Sequence, residues 1–187
     1  MTYQFKIQIK GITKPPVWRK IAISADSTFL QFHYAIQNAF GWYNCHLFEF
    51  EEKGHRCDLR IAIPSDDDDI FVARTMDATT LQLKNIYSNS KAKFLYVYDY
   101  GDYWEHEITL ISTTEAMLMD AVCLSGKGTC PPEDCGGVIG YEKMKNVFHT
   151  NPNGQVADEY RDWLGLEAGE VWDANHFLID QKEKEKE

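Results

Sequence analysis

The sequence predicts an α+β domain, and three observations carry that prediction. Two segments with period-2 hydrophobicity open the chain, a capped segment with helical spacing follows, and later strand patterns give way to two short helical ones. With 187 residues, 44% hydrophobic and 13% aromatic, the chain can bury a real core without disulfides or metals. One domain over residues 1–180 is expected, followed by a charged, frayed tail at 181–187.

Tyr3, Phe5, Ile7 and Ile9 alternate with Gln4, Lys6, Gln8 and Lys10, as in a strand with one buried and one wet face. Turn residues fill 11–16, and Val17 to Ile23 resumes an extended, β-branched run, so the two runs form a β-hairpin. Thr28 and Gln31 have capping-box spacing, Phe29, Phe32, Ile36 and Phe40 share one helical face, and Gly41 stands where a helix ends. An amphipathic helix is therefore expected to pack across the hairpin. His46 to Glu52 and Cys57 to Ile63 read as further strands joined around Lys53 and Gly54. Pro64 to Asp69, with four consecutive aspartates, reads as a solvated loop; it lacks the glycine and terminal glutamate of an EF-hand. Phe94 to Tyr100 and Trp104 to Ile111 form a second hairpin turning at Gly101 and Asp102, with Gly101 expected to take the positive φ of a tight turn. Val138 to His149 and Val156 to Leu164 read as helices, the second closed by Gly165.

Composition narrows the function. No apolar run approaches the about 20 residues of a membrane-spanning helix. The start enters a strand pattern without the features of a signal peptide, so a cytoplasmic protein is expected. Five cysteines in such a chain are expected as reduced thiols, metal ligands or redox groups rather than a disulfide framework. The formal charge of −10 opposes non-specific binding to phosphate backbones. Residues 1–25 nevertheless contain Lys6, Lys10, Lys14, Arg19 and Lys20 and no acid, so a basic N-terminal hairpin face could meet a protein or nucleic-acid partner.

The chemistry concentrates in two stretches. In "YDYGDYWEH", strand alternation puts Trp104, His106, Ile108 and Leu110 on one face, so His106 reads first as a hydrogen-bonded core histidine. Asp99, Tyr100 and Asp102 gather at the hairpin end, and His46 could approach from another strand; two carboxylates and two imidazoles would suit a divalent metal if they converged. In "CLSGKGTCPPEDCGG", Cys123, Cys130 and Cys135 have spacings of six and four residues rather than the paired spacing of a zinc ribbon. A zinc site there needs a fourth ligand from His106, His149, Cys57 or Cys45. The alternative is a stiff loop in which Glu133 and Asp134 cap the following turn and the glycine pair at 136 and 137 approaches the sheet.

The stretches "GWYNCHLFEFE" at 41–51, "LYVYDYGDYWEHEITL" at 95–110 and "CLSGKGTCPPEDCGGVIGYE" at 123–142, with "PPVWRKI" at 15–21 and "EYRDWLG" at 159–165, carry a resemblance over nearly the whole chain. The sequence resembles the plasmid pRi ORF-3-like family, also described as transposon-passenger TnpR-like proteins. That resemblance implies a ubiquitin-like or β-grasp-like hairpin-helix start, a mixed α-β roll with additional C-terminal helices, and a mobile-element setting, but no reaction. The chain has no recombinase pattern of a nucleophilic serine with an arginine cluster, so resolvase activity is not carried over. It departs from the family ahead of His46, where Tyr43, Asn44 and Cys45 replace an acidic or small polar pair and a serine. Two functions follow. The leading one is a binding module using His46, Asp99, Tyr100, Asp102, Trp104, His106, Glu133 and Asp134. The alternative is a metal-dependent hydrolase or nuclease-like enzyme in which Asp99, Asp102 and His106 hold a cation and Glu133 or Asp134 positions water.

Overall fold

A computed structural model describes residues 1–52, 59–64, 74–87 and 94–179. The strands are β1 (Thr2–Ile9), β2 (Trp18–Ser24), β3 (Phe48–Glu52), β4 (Leu59–Ala62), β5 (Arg74–Asp77), β6 (Phe94–Tyr98), β7 (Trp104–Thr114) and β8 (Val122–Lys127). The helices are α1 (Phe29–Phe40), α2 (Leu83–Tyr87), α3 (Gly137–Thr150) and α4 (Gln155–Leu164). The eight strands form one mixed sheet in the order β5-β4-β3-β6-β7-β1-β2-β8, with β4 and β5 parallel and every other pair antiparallel. No helix among the described residues is long and apolar enough to cross a membrane.

The opening hairpin pairs Phe5 with Ile21 and Ile7 with Arg19. α1 has the capping box expected of Thr28 and Gln31, and its C-terminal Gly41 takes the left-handed conformation at φ 85°. β1 lies between β2 and β7, antiparallel to both. The coarser description, α+β with a mixed sheet, holds throughout.

Three elements escape the sequence patterns. β8 was expected as part of a cysteine-rich loop, yet it pairs with β2 at the sheet edge. Its residues are only partly buried or exposed, so it lacks the apolar alternation that marks a strand. β5 and α2 likewise carry short, weak patterns. The Lys53–Gly54 turn, Cys57, the aspartates at 66–69 and the tail at 181–187 lie outside the described residues.

α1 lays Phe29, Phe32, Ile36 and Phe40 on the inward face of the sheet. There Phe32 packs against Phe5 at 4.8 Å and Phe50 at 5.7 Å between ring centroids. Arg19, expected on a basic face, is instead buried. Its Nε donates to the Ala39 carbonyl at 2.9 Å, Nη1 to Lys127 and Nη2 to Gly128 at 3.0 Å each, while Phe40 and Phe177 flank the guanidinium. The planar fork thus ties α1 to the edge strand β8. Lys10 pairs with Glu105 at 2.8 Å, and Lys6 and Lys20 remain opposite one another on the other face of the hairpin.

Two buried histidines complete the core. His33 sits in a closed ring of hydrogen bonds. Gln37 Nε2 donates to Tyr96 Oη at 2.9 Å, Tyr96 Oη donates to His33 Nδ1 at 2.8 Å, His33 Nε2 donates to Asn44 Oδ1 at 2.6 Å, and the Asn44 amide donates to Gln37 Oε1 at 3.1 Å. A second proton on His33 would break that ring. His106 is the core residue that alternation indicated: its Nδ1 donates to the carbonyls of Tyr96 and Trp104 at 3.1 and 2.9 Å, and its ring packs edge-on to Phe40 and Trp42. Burial pushes both imidazoles down to about 4.

Two predictions follow from this packing. Between pH 6.5 and about 4 the unfolded chain binds protons that buried His33 and His106 refuse. Stability is therefore full above pH 6.5 and falls on acidification, by up to about 1.4 kcal/mol per pH unit for each histidine. Urea unfolding at pH 7, 6, 5 and 4.5 should show the midpoint dropping, and a flat midpoint would contradict the neutral core. Trp104 is fully buried and packs 6.0 Å from Trp42. Trp104→Ala should cost about 3–5 kcal/mol in the same assay.

Candidate functional site

Three loops meet at one end of the sheet. The first joins α1 to β3. After Gly41, Trp42 turns back into the core and its Nε1 donates to the Pro131 carbonyl at 2.9 Å. Asn44 adopts φ 57°, a conformation asparagine tolerates, and the Cys45 amide donates to Tyr98 Oη at 3.0 Å. These contacts deliver His46 to the mouth of the loop.

The second loop is the β6–β7 corner, and it departs from expectation in an instructive way. Gly101 does not carry the positive φ; Asp99 and Tyr103 do, at 58° and 54°. Asp99 Oδ1 accepts the Gly101 amide at 2.8 Å, and a Cβ on Gly101 would crowd that oxygen at 3.2 Å, which explains the glycine. Asp102 is a candidate metal ligand by sequence. It accepts the Gly136 amide at 3.0 Å instead and so fastens the corner to the third loop.

The third loop runs from β8 to α3. Gly137 has φ 65°, and a Cβ there would lie 2.6 Å from the Asp102 carbonyl, so only glycine lets α3 start this close to the corner. Glu133 was read as a cap for its own turn. In fact its Oε1 crosses to the other loops, accepting the Tyr43 amide at 2.9 Å and the Tyr98 hydroxyl at 3.0 Å. Burial and the bond to Glu133 hold the Tyr98 phenol well above its ordinary pKa, so it stays a donor.

His46, Asp99, Glu133 and Asp134 converge where the loops meet. His46 Nε2 lies 3.2 Å from Asp134 Oδ1 and 3.9 Å from Glu133 Oε2, and Nδ1 lies 3.8 Å from Asp99 Oδ1. The Asp99 side chain is 9% exposed and that of Asp134 74%, so the cluster reaches from the interior to solvent. His46 Nε2 and Glu133 Oε2 are both buried without a hydrogen-bond partner. Chemically, this is an imidazole ring between carboxyl groups, with Nε2 facing Asp134 and Glu133 and Nδ1 facing Asp99.

The other expected site residues go elsewhere. His106 and Trp104 are in the core, so the set Asp99, Asp102 and His106 does not assemble as a metal site. Tyr100 accepts a hydrogen bond from Arg60 Nη2 at 3.1 Å, and Arg60 also pairs with Glu49. Among the described residues, His46, Asp99 and Asp134 are the metal-competent group, and Cys123, Cys130 and Cys135 form none; Cys57 lies outside them. Burial raises the thiols of Cys123 and Cys130 and pushes Cys135 up to about 12, so all three are protonated at neutral pH and poor nucleophiles. The sequence reading missed the hydroxyl of Tyr98 and the backbone of Tyr43, which aim Glu133. A tyrosine at an inward strand end beside a polar loop was the available signal.

This architecture recurs in known proteins. A crystal structure of a protein of unknown function from Methanosarcina mazei Go1 aligns with a TM-score of 0.77 at 31% identity, covering 95% of this chain and 95% of that one. An uncharacterised protein of Sinorhizobium fredii (strain NBRC 101917 / NGR234) is 31% identical over 154 residues, 81% of this chain and 75% of that protein. The model of the plasmid pRiA4b ORF-3-like proteins matches residues 1–181, and with that extent of match the chain belongs to the plasmid pRiA4b ORF-3-like family.

Proposed function

We propose that the domain is a binding module whose ligand seats at the corner where the three loops meet. One observation carries this reading: His46 Nε2 and Glu133 Oε2 are buried without hydrogen-bond partners although the loops around them are anchored. An unsatisfied buried polar atom costs about 1–3 kcal/mol, and a bound group would remove that cost. Binding residues on loops fixed by a rigid sheet are the ordinary design of such a site. Tyr43 and Leu47, 81% and 70% exposed, flank His46 in the chain and offer apolar surface beside it. Three converging carboxyl groups disfavour a phosphate backbone at this corner, so the ligand is cationic or hydrogen-bond-donating. The family description names a plasmid reading frame, which supports a mobile-element setting for the module. A hydrolase built on Asp99, Asp102 and His106 is not favoured, because Asp102 is engaged with Gly136 and His106 is enclosed.

Sites kept for a ligand are not optimised for stability. Glu133→Gln keeps the Oε1 acceptor for Tyr43 and Tyr98 while removing a crowded charge, and Asp134→Asn suits the positive φ of 56° at that position. Both variants should melt at or above the wild-type temperature without ligand. By contrast, Asp99→Ala and Asp102→Ala remove bonds to the Gly101 and Gly136 amides and should each cost about 0.5–2 kcal/mol. Calorimetric melting of the four variants decides the matter: marked destabilisation by Glu133→Gln and Asp134→Asn would make the cluster structural and overturn the reading.

A further inference from the structure

We infer that the corner ligand is a divalent transition-metal cation of the zinc class, held by His46, Asp99 and Asp134 with Glu133 as the adjoining fourth group. The inference rests on the binding reading above and identifies its ligand. His46, Asp99 and Asp134 each bring one ligand atom into a set whose members all lie within 4.8 Å of one another. Bonds of about 2.1 Å place neighbouring ligands of a tetrahedral ion about 3.4 Å apart; Asp134 and Glu133 face His46 Nε2 at 3.2 and 3.9 Å, whereas Asp99 faces Nδ1 at 3.8 Å and has to turn toward the Nε2 side to share one ion.

The donor types select the cation. An imidazole with carboxylates suits zinc, cobalt, manganese or iron, whereas calcium and magnesium favour sites made of oxygen alone. Among the described residues no cysteine joins the converging set, and Cys135 Sγ turns to the Gly137 carbonyl while Cys45 Sγ turns to that of Tyr43.

Two further features point to an ion. The first is the pair His46 Nε2 and Glu133 Oε2, 3.9 Å apart and both buried without a hydrogen-bond partner: neither satisfies the other, and a cation between them would satisfy both. The second is the anchoring of Glu133. Its Oε1 is held by the Tyr43 amide and the Tyr98 hydroxyl, which fixes the carboxyl plane and leaves Oε2 for the cluster. The ligands also come from three separate loops, so an ion would lock the α1–β3 loop, the β6–β7 corner and the β8–α3 loop together.

The test is isothermal titration of the full chain, stripped with chelator, using zinc, cobalt and calcium chlorides, with a visible and near-ultraviolet spectrum of the cobalt form. One equivalent of zinc and of cobalt should bind, calcium at least about 100-fold more weakly, and the cobalt spectrum should lack sulfur charge-transfer bands. His46→Gln and Asp134→Asn should weaken zinc at least about tenfold, while Asp102→Asn should leave it unchanged. Absence of zinc and cobalt binding, undiminished binding by His46→Gln, or sulfur bands from cobalt would each overturn the metal assignment. If those results came with Glu133→Gln melting at or above wild type, the binding module would stand with another ligand. If Glu133→Gln were itself destabilising, the module would fall as well.

Discussion

Burying phenol hydroxyls is the constraint on which the rest of this structure depends. β6 presents Phe94, Tyr96 and Tyr98 to α1 on alternate positions, and all three are fully buried. Rings of that size fill the space between helix and sheet, yet each tyrosine brings a hydroxyl that is costly to leave bare. Tyr96 meets the demand inside the core through His33 and Gln37, which thereby fixes α1 in register with the central strands. Tyr98 meets it at the strand end, taking the Cys45 amide and giving its proton to Glu133. A packing requirement in the middle of the sheet thus dictates where two loops must lie at its edge.

The corner inherits both its rigidity and its discomfort from that arrangement. Trp42, Asp102 and Glu133 each bond one loop to another and Gly137 permits their close approach, so the carboxyl groups cannot simply relax away from each other. Asp99 and Asp134 both hold positive φ, a conformation that surrounding contacts must enforce. Strain and crowded charge coincide here with two unpartnered polar atoms; along the hydrophobic face the unpartnered atoms, Tyr87 Oη, Trp104 Nε1 and His106 Nε2, stand among apolar rings without crowded charge. The same economy appears at Arg19, a basic residue that became an internal tie because four backbone carbonyls and two aromatic rings surround it.

The sequence by itself determined the elements whose periodicity is local. The alternation from Tyr3 to Lys10, the capping box at Thr28 and Gln31, and the glycine after Phe40 each encode a backbone state within a few residues, and the hairpin and helix stand where those patterns place them. The inward direction of Trp104 and His106 was legible for the same reason. Tertiary structure alone decided β8, a partly buried edge strand without alternation, and the left-handed turn residues Asp99 and Tyr103 in place of Gly101. It also decided which acids meet His46. Asp99, Glu133 and Asp134 were all in view as candidates, but the partners of Asp102 and Glu133 lie more than thirty residues away, as Gly136 and Tyr43. Local pattern governs backbone conformation because dihedral preferences and capping bonds span only a turn or two. Convergence of side chains from three loops depends on how the sheet closes, and no spacing along the chain records that.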